Sequence, residues 1–536
     1  MNETRECAPR KWLKAALGAV CVTAACVAPG QTAARARQAA HATYRNPILF
    51  ADYSDPDVIR DGRNYYLIAS TFEFVPAIPI LQSTDLVHWT ILGHVVQRLT
   101  MDPRYNMIDG NRYGQGVWAP AIRRHEGFFY VYFPTPGEGI FVSRARKITG
   151  PWTAPVAVIA KPGLEDPCPF WDDDGKAYLI HSRTGAGPLI LHRMSADGMG
   201  VLDQGKVIVE DHAHLPVLEG PKLYKRNGYY YIFAPFGGVG GGSQAVLRSR
   251  SIYGPYESRV VLAQGDTPIN GPHQGAYVES PDGAGWFVHF QLDGAHGRIV
   301  HLEPVLWKDG WPIVGADPDG AGPGQPVASG PIPGHPHTIA DRHPRSSDQF
   351  TGAKLGPQWE WNHNPDNAHW SLSAHPGFLR LIPMHADHLL TARNTITESM
   401  QDNAFAFTSR IDLARMKSGT RAGLAMFEQS PSGVEVVQSG HRRQLAYFHS
   451  DRLTMGPVVS GALVQLRMQV QGDQARYFYS LDDGRSFQPL GAATPIRFSW
   501  WKGARPSLFA YTTGEADPGA VDFDWVHYRP LGKNPW

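Results

Sequence analysis

The chain has 536 residues, 42% hydrophobic and 18% charged, a composition that excludes global disorder and a length that favours more than one domain. Its 50 basic and 49 acidic side chains exclude the strong positive charge expected of a protein that binds nucleic acid or an anionic membrane surface. With 11% aromatic residues, the chain instead suits an uncharged ligand, such as a sugar whose C–H faces stack on aromatic rings.

Residues 1–42 have the pattern of a secretory signal peptide. A basic stretch at 10–14 precedes an apolar run at 15–28 that is short for a membrane span, and small residues before position 43 offer cleavage sites. A membrane anchor is the alternative. Removal of the leader would place the protein outside the cell or in the periplasm. It would also leave Cys168 as the one remaining cysteine, so no intrachain disulfide is expected.

Residues 43–314 contain five copies of one pattern, in which a small turn ending in glycine precedes an aromatic or apolar strand. Successive glycines are 65, 48, 53 and 57 residues apart, which gives each copy room for roughly four short strands. No stretch shows the hydrophobic period of a helix. The repeat therefore predicts a five-bladed β-propeller. The turn glycines are Gly62, Gly127, Gly175, Gly228 and Gly285.

The C-terminal part of the chain reads as a linker followed by a second β domain. Residues 315–345 are rich in Pro and Gly and poor in apolar residues, which is typical of a linker. Within residues 346–532, apolar and polar residues alternate from Val464 to Val470, and a Gly-Asp turn leads into a second strand-like segment. Many such short strands predict a β-sandwich. The expected fold class is all-β, a five-bladed β-propeller followed by a β-sandwich.

Three acidic residues occupy matching positions in the repeats: Asp55 in blade 1, Asp166 in blade 3 and Glu219 in blade 4. They precede their turn glycines by seven, nine and nine residues. Because the first strand of every blade starts at one end of the channel, the carboxylates should converge there, with Trp118 and His273 on the rim. Each precedes Pro or Gly-Pro, so turn formation alone is the alternative. Converging carboxylates can bind a hard cation or perform acid–base chemistry.

The motifs around these residues resemble glycoside hydrolase family 43, in the branch of β-xylosidases and α-L-arabinofuranosidases with a C-terminal concanavalin-A-like, jelly-roll sandwich. The resemblance covers the mature chain in order and implies a five-bladed propeller and an inverting mechanism. It implies that Asp55 is the general base, that Glu219 is the general acid, and that Asp166 tunes and orients that acid. Base and acid would stand roughly 6.5–9.5 Å apart. The motifs are SDPDV, VWAPAI, LEDPCPF, LEGPKLY and GRIVHLEPV.

The resemblance also implies which residues hold the sugar. Arg298 would reach sugar hydroxyls, and Trp118, Phe72 and Phe74 would form apolar walls. His273 stands where relatives have a channel histidine, sometimes near a bound Ca²⁺. No metal site is predicted here and no cofactor is required.

Two positions near the motifs call for separate interpretation. Cys168 stands where relatives usually carry a small hydroxyl residue, which alters the surroundings of the third carboxylate. Asp57 follows the base motif closely and is interpreted as a turn or blade-closing residue.

The expected activity is that of a secreted, inverting exo-glycosidase. It would remove terminal β-D-xylosyl or α-L-arabinofuranosyl residues from plant oligosaccharides or polysaccharides, with no nucleic-acid partner and no membrane association after signal cleavage. The sandwich segment FAYTTGEADPG, which begins at Phe509, is a candidate for closing the pocket. One alternative is a non-catalytic propeller that binds glycans. Another is a sandwich that serves as a separate carbohydrate-binding module, with exposed platforms at Trp359, Trp361 and Trp370.

Overall fold

The structure is a computed structural model, and it describes residues 42–320, 322–334, 344–514 and 517–532. Apart from Ala42, the predicted signal peptide lies outside the described residues. Within them, no helix is long and apolar enough to cross a membrane. Strands dominate, and the helices of the described chain are short 3₁₀ turns at Pro103–Asn106, Gly294–His296, Asn367–His369 and Leu389–Thr391.

Five four-stranded antiparallel sheets follow one another along the chain, and this confirms the predicted five-bladed propeller. The first strands of the blades contact each other around the channel, so each blade runs outward from its first strand. The strands are Asp57–Asp61, Asn64–Ile68, Ala77–Ser83 and Thr90–Val96 in blade 1; Ala121–His125, Phe128–Thr135, Gly139–Ala145 and Val156–Ile159 in blade 2; Leu164–Trp171, Ala177–Arg183, Leu189–Met194 and Lys206–Val209 in blade 3; Lys222–Arg226, Tyr229–Phe236, Ser243–Ser249 and Glu257–Leu262 in blade 4; and His273–Glu279, Gly285–Leu292, Arg298–Lys308 and Trp311–Val314 in blade 5.

The turn between the first two strands of each blade contains a glycine with positive φ, as the repeat predicts. In blades 1 to 4 the glycines are the predicted ones, with φ between 61° and 77°. In blade 5 the prediction is wrong by two residues. Gly283 has φ +84° and forms the turn, whereas Gly285 is the first residue of the following strand.

Contacts between blades and from the flanking segments hold the propeller together. Thr43–Arg45 pairs with Ser329–Pro331 from the segment after blade 5, so part of the predicted linker is ordered against the propeller. Asp57 accepts hydrogen bonds from the Ile122 N–H (2.8 Å) and from Arg123 Nη1 (2.7 Å) of blade 2. Asp57 therefore joins the first two blades, which agrees with its interpretation as a blade-closing residue.

The C-terminal domain consists of two packed sheets, which confirms the predicted concanavalin-A-like sandwich. Val464, Leu466, Met468 and Val470 are buried, and the Gly472-Asp473 turn joins the two strands of the predicted hairpin. One sheet contains Arg452–Val458, Arg442–His449, Ser432–Ser439, Thr420–Phe427, Arg505–Thr512, Ile396–Thr397, Glu360–Asn362 and Met384–His385. The other contains Trp370–Ser371, Leu379–Leu381, Val521–Pro530, Ala404–Asp412, Leu463–Gln471, Gln474–Ser480, Gln488–Pro489 and Thr494–Pro495.

The propeller contributes a strand to the sandwich. Phe74–Val75, from blade 1, pairs antiparallel with Glu360–Asn362 at the end of the first sandwich sheet. Trp359 and Trp361 are buried in an apolar cluster shared by the two domains, and Trp370 packs on Trp361 with ring centroids 5.3 Å apart. These tryptophans are core and interface residues and do not form exposed sugar-binding platforms.

Candidate active site

Asp55, Asp166 and Glu219 line one cavity of about 470 Å³, at the end of the channel where the first strands of the blades begin. Asp55 lies two residues before the first strand of blade 1, Asp166 lies within that of blade 3, and Glu219 lies three residues before that of blade 4. The structure therefore brings together the three carboxylates that the sequence places at matching positions.

Local backbone turns present these side chains to the cavity. Asp55 and Asp166 have left-handed φ values of 53° and 55°, which residues other than glycine seldom adopt. Each precedes a proline, and a following proline disfavours the right-handed helical conformation. Gly220, directly after Glu219, has φ +57°, and a Cβ atom there would lie 2.8 Å from Cδ of Gln274. These motifs are therefore turns that also expose carboxylates to the cavity.

Asp55 is held by donors on both carboxylate oxygens. Ser70 Oγ donates to Oδ2 at 2.6 Å, and Arg298 Nη1 donates to Oδ1 at 2.7 Å. Both Asp55 and Arg298 are buried. The contact from Arg298 is a charge-assisted hydrogen bond, which is stronger than a neutral one. The predicted sugar-binding arginine therefore also holds the predicted base.

Lys502 and Gly503 of the sandwich support Arg298 indirectly, through Asp52 of the propeller. Asp52 accepts a hydrogen bond from the backbone N–H of Arg298 (3.2 Å) and another from the Gly503 N–H (2.7 Å). Lys502 Nζ lies 3.3 Å from Asp52 Oδ2 and donates to the Asp52 carbonyl at 3.0 Å. Lys502 is buried, so the two domains meet directly behind the Asp55 side of the cavity.

Asp166 lies in the most crowded part of the cavity. It accepts hydrogen bonds from the Gly220 N–H (2.8 Å) and from Ser182 Oγ (3.3 Å). Burial raises the pKa of Asp166 above its usual range, and the nearby charges of Glu219 and Asp55 raise it further. Burial and the repulsion of neighbouring carboxylates therefore act in the same direction on Asp166.

Glu219 is the most accessible of the three carboxylates, with its side chain 19% exposed. Its Oε1 lies 3.0 Å from His273 Nε2, although these atoms are not aligned as a hydrogen bond. Its backbone N–H donates to the Pro235 carbonyl at 3.1 Å, which fixes the turn before blade 4. His273 thus lines the cavity, as predicted, and it faces Glu219.

Glu165 is a fourth carboxyl in the cavity, and the sequence analysis missed it. It is buried and accepts a hydrogen bond from the Ala186 N–H at 3.1 Å. Burial raises the pKa of Glu165, with further contributions from Asp166 and Glu219. The LEDP motif places Glu165 beside Asp166, but neighbouring residues of a regular strand point to opposite faces, so the motif gave no sign of a shared cavity.

One oxygen from each of Glu165, Asp166 and Glu219 lies within 4.8 Å of the other two. We call these three residues the acidic trio. Among the described residues, the acidic trio is the group of carboxyls that lie close enough together to share protons or to surround a cation. Carboxylate proximity alone does not distinguish the two. The absence of a required metal remains a prediction.

Aromatic side chains form part of the cavity wall. Phe72 and Trp118 line the cavity as predicted, with ring centroids 6.1 Å apart, and Trp118 Nε1 donates to the Gly114 carbonyl at 3.0 Å. Trp501 from the sandwich also lines the cavity, 6.1 Å from Trp118, and is 48% exposed. Trp501 was not predicted. One feature of the sequence bears on it: Trp500 and Trp501 are adjacent, and adjacent residues of a strand point to opposite faces, so both rings could not pack on the same face.

Phe74 does not belong to the site, contrary to the prediction. It is buried in the interface between the domains, with its ring 6.3 Å from that of Phe427 and the guanidinium of Arg505 4.5 Å from its ring centroid. Phe74 lies in the strand that pairs with the sandwich, which directs it away from the channel. Only the first phenylalanine of the STFEF motif reaches the cavity.

The described part of the FAYTTGEADPG segment also lies away from the cavity. Its first residues belong to the strand Arg505–Thr512, and Phe509 and Tyr511 are buried within the sandwich. Thr513 then bonds the Gly419 carbonyl. The sandwich segment that reaches the cavity is instead the turn at 499–503, which contains Trp501.

Cys168 lies behind the cavity and does not line it. Arg123 Nη2 donates to its sulfur at 3.0 Å, and the Leu223 N–H donates at 3.4 Å. The thiol is buried and unoxidised. Cys168 thus links the first strands of blades 2, 3 and 4, while Ser182 supplies the hydroxyl near Asp166.

Comparisons with known proteins agree with this architecture. Residues 44–312 match the family model of glycosyl hydrolases family 43, and residues 347–529 match that of the β-xylosidase C-terminal concanavalin A-like domain. A β-xylosidase of Formosa agariphila is 36% identical over 543 residues, which cover 91% of this chain and 90% of the relative. A non-reducing end α-L-arabinofuranosidase of Bacteroides ovatus is 29% identical over 527 residues, covering 92% and 96%.

A solved structure extends the likeness to three dimensions. It is that of a family 43 glycoside hydrolase engineered to display both endo-xylanase and exo-arabinofuranosidase activity. It has a TM-score of 0.83 and 27% identity to this chain, covering 92% of this chain and all of the other. With the family model matched across the propeller, and relatives matched over nearly the whole length, the chain belongs to glycosyl hydrolases family 43 and is a glycoside hydrolase.

Proposed function

We propose that this enzyme is an exported, inverting exo-glycosidase that releases a terminal β-D-xylosyl or α-L-arabinofuranosyl residue from plant polysaccharide fragments. The observation that carries the proposal is that Asp55 and Glu219 line one cavity but have opposite electrostatic surroundings. Asp55 contacts a cation and a hydroxyl, whereas Glu219 adjoins other carboxyls. The names of the relatives, β-xylosidase and α-L-arabinofuranosidase, support a pentose as the sugar released.

Asp55 would act as the general base. Arg298 and Ser70 hold its carboxylate in place through hydrogen bonds to both oxygens, so it can accept a proton from a water molecule on one face of the sugar. The water oxygen then forms a bond to the anomeric carbon as the bond to the leaving oxygen breaks. A single displacement of this kind inverts the anomeric configuration.

Glu219 would act as the general acid. Within the acidic trio, burial and the neighbouring carboxyls raise the pKa of Asp166 and of Glu165, which favours a proton shared within the trio. A proton held by the trio is therefore available at Glu219, its most accessible member. Transfer of that proton to the glycosidic oxygen produces a neutral alcohol as the leaving group.

The walls of the cavity favour an exo-acting enzyme. Phe72, Trp118 and Trp501 present apolar surfaces on which the C–H face of a sugar can stack. Trp501 comes from the other domain and borders the cavity on one side, which restricts the room for a chain to continue past the first sugar.

The first test is hydrolysis by the mature protein of p-nitrophenyl β-D-xyloside and p-nitrophenyl α-L-arabinofuranoside. Release of p-nitrophenol from at least one is expected, and proton NMR should show the inverted anomer first. Release from neither would contradict the pentosidase proposal, and retention would contradict the mechanism. A non-catalytic glycan-binding protein would bind xylo-oligosaccharides without releasing any product.

Two variants separate the roles of base and acid. Asp55→Asn should lower kcat by about 10²- to 10⁴-fold on every substrate, because water activation is needed whatever the leaving group. Glu219→Gln should lose a similar factor on xylobiose but much less on a 2,4-dinitrophenyl glycoside, whose leaving group needs no proton. Equal loss on both substrates would remove Glu219 as the acid. Glu398→Gln, a buried carboxyl of the sandwich outside the cavity, is the matched control and should retain wild-type rates.

Export is tested separately. The full chain should be cleaved near residue 42 when produced in a bacterial host, and the mature protein should be recovered outside the cytoplasm. N-terminal sequencing of the recovered protein measures the cleavage site. Full-length protein retained in the membrane fraction would instead favour the anchor.

A further inference from the structure

The first strand of blade 3 contains a β-bulge that turns two neighbouring carboxyls into the cavity. Glu165 pairs with Ser182 and Cys168 pairs with Ile180, so Asp166 and Pro167 lie opposite a single residue of the next strand. In a regular strand, Glu165 and Asp166 would point to opposite faces. The extra residue and the left-handed φ of Asp166 remove that alternation, and both side chains line the cavity.

The surroundings of Glu165 suit a neutral carboxyl group. Its backbone donors, Ala186 at 3.1 Å and also Gly185, belong to a loop whose residues 184–186 line the cavity. None of the described Lys or Arg side chains lies within ion-pair distance of Glu165 or Asp166, although a charge on each would need such a partner when buried. A neutral carboxyl would accept the Ala186 hydrogen bond with one oxygen and keep an O–H to donate.

Charged groups from several elements face this carboxyl. Asp166 comes from the same strand, and Glu219 comes from the turn before blade 4. Lys222 and His273 come from the first strands of blades 4 and 5. Lys222 is buried and its Nζ points to the Pro120 carbonyl at 3.4 Å, so it acts on Asp166 through space. His273 contacts Glu219. The two nearest groups are carboxyls, and their repulsion adds to burial in raising the pKa of Glu165.

We propose that Glu165 is a substrate-binding residue that acts as a carboxylic acid and donates a hydrogen bond to a hydroxyl of the terminal sugar. This inference rests on the proposed function and assigns a further residue of the same site. A protonated acid is a hydrogen-bond donor that adds no charge beside Asp166 and Glu219. A lysine or arginine donor at this place would instead lower the pKa of the general acid and favour loss of the proton that catalysis uses.

The first experiment compares Glu165→Gln with Glu165→Met. Gln is neutral and keeps both an acceptor and a donor, whereas Met has similar length but no donor. We expect Gln to raise KM by about threefold and Met to raise it by tenfold or more, since one net hydrogen bond is worth about 0.5–1.5 kcal/mol. Changes in kcat should be smaller than those in KM. If Gln is as damaging as Met, the negative charge is what matters and the proposal is wrong.

A second experiment identifies the hydrogen bond through the substrate. The 2-, 3- and 4-deoxy analogues of the active p-nitrophenyl pentoside are compared in wild type and in Glu165→Met. One deoxy analogue should raise the KM of the wild type about as much as Glu165→Met does with the full substrate. The same analogue should raise the KM of the variant little further. If every analogue loses additively in the variant, Glu165 binds none of these hydroxyls and the proposal is overturned.

A third experiment needs no substrate, so it stays informative even if the pentosidase proposal fails. A carboxyl whose pKa is raised by folding contributes stability below its unfolded pKa, near 4, and that contribution is lost as pH rises through the folded pKa. Glu165→Gln has no such loss. Its Tm relative to wild type should therefore increase between pH 5 and pH 9, by about 2 °C or more. A constant difference across this range would show that Glu165 is ionised throughout and would overturn the proposal.

Glu398→Gln is the control for both kinds of measurement. Burial raises the pKa of Glu398 in the same direction, but this residue lies in the sandwich and outside the cavity. Its substitution should change the pH dependence of Tm while leaving KM for every substrate at the wild-type value. If Glu398→Gln changes KM as much as Glu165→Met does, both KM changes result from general destabilisation, and the role of Glu165 in substrate binding is overturned.

Discussion

The two sides of the catalytic cavity use the same chemical group in opposite ways. On one side, Asp55 is a carboxylate matched by a buried arginine and a hydroxyl. On the other side, three carboxyls crowd together, and backbone N–H groups are among their donors. The first arrangement fixes a carboxylate between a cation and a hydroxyl, whereas the second raises the pKa of Asp166 and of Glu165. One cavity can thus hold a base and an acid at the same pH, because a cation contacts the carboxylate on the Asp55 side but not those on the other side.

The two sides also differ in how they are supported. The donors on the acidic trio come from blades 3 and 4 of the propeller alone. The Asp55 side depends in addition on the sandwich, since Lys502 and Gly503 hold Asp52, which in turn holds the backbone of Arg298. The sandwich is therefore a part of the active site, and its removal should affect the base before it affects the acid.

Among substitutions of the residues around the base and the acid, the largest expected effect comes from removing the cation on the Asp55 side. Arg298→Met leaves a buried carboxylate without its partner, and breaking such a pair destabilises the fold by about 3–5 kcal/mol, so Tm should fall. Because Asp55 also loses the cation that holds it in place, kcat/KM should fall by about 10²- to 10³-fold. Arg298→Lys keeps a charge and should recover part of the activity. Steady-state kinetics and thermal melts measure both variants. A loss below tenfold in Arg298→Met would show that Asp55 does not depend on this arginine.

A smaller effect is expected from reducing the charge on the acidic side. Asp166→Asn should lower kcat by about 10²-fold, because the general acid loses a group that positions its proton. Removing one negative charge also makes the remaining carboxyls release protons more readily, so the alkaline limb of the pH profile should move to lower pH. The pH dependence of kcat measures this shift. An alkaline limb that does not move would mean that the trio does not titrate as a group.

The contribution of the sandwich is tested by adjacent tryptophans. Trp501→Ala removes an apolar wall and should raise KM about tenfold with a smaller change in kcat, since one buried aromatic face is worth about 1–2 kcal/mol. Trp500 stacks on Tyr113, with ring centroids 4.1 Å apart, outside the cavity. Trp500→Ala should therefore lower Tm more than Trp501→Ala does, with KM nearer to wild type. The reverse ranking would reassign the wall to Trp500.

The smallest expected change in activity follows from Lys502→Met. Asp52 keeps hydrogen bonds from Ser54, from Gly503 and from the Arg298 backbone, so kcat should fall only about three- to fivefold. Tm should fall clearly, because a buried carboxylate loses a charge partner. Kinetics and thermal melts in parallel measure the contrast. A kcat loss as large as that of Arg298→Met would mean that Lys502 supports catalysis directly.

The repeated elements of this molecule were predictable from sequence because residues at matching positions of the blades occupy equivalent places in a propeller. Glycines in four of five blades and three carboxylates at matching positions were placed correctly. The fifth glycine was displaced because two glycines, Gly283 and Gly285, fit the same turn pattern and only backbone φ distinguishes them. Similarly, Phe72 and Phe74 both fit an apolar wall, and the outcome depended on a strand pairing between domains.

Two residues of the cavity, Glu165 and Trp501, were not predicted. Glu165 enters through a bulge, and a bulge depends on the pairing register of two strands rather than on the sequence of one. Trp501 comes from a turn about 280 residues after Glu219, in another domain. Glu165 lies one residue before the carboxylate position that the repeat marks, and Trp501 lies outside the propeller, so neither could be found by comparing the blades with each other.

The short strand Phe74–Val75 has a practical consequence for anyone who wishes to exchange parts of this enzyme with a relative. Because it closes one edge of a sandwich sheet, an isolated sandwich would expose unpaired backbone groups there, and such edges promote aggregation. A chimera should therefore carry residues 72–76 from the same parent as the C-terminal domain, even though they are distant from it in sequence. Cutting the chain between the domains by protease should leave the two fragments associated, held by this shared β-edge.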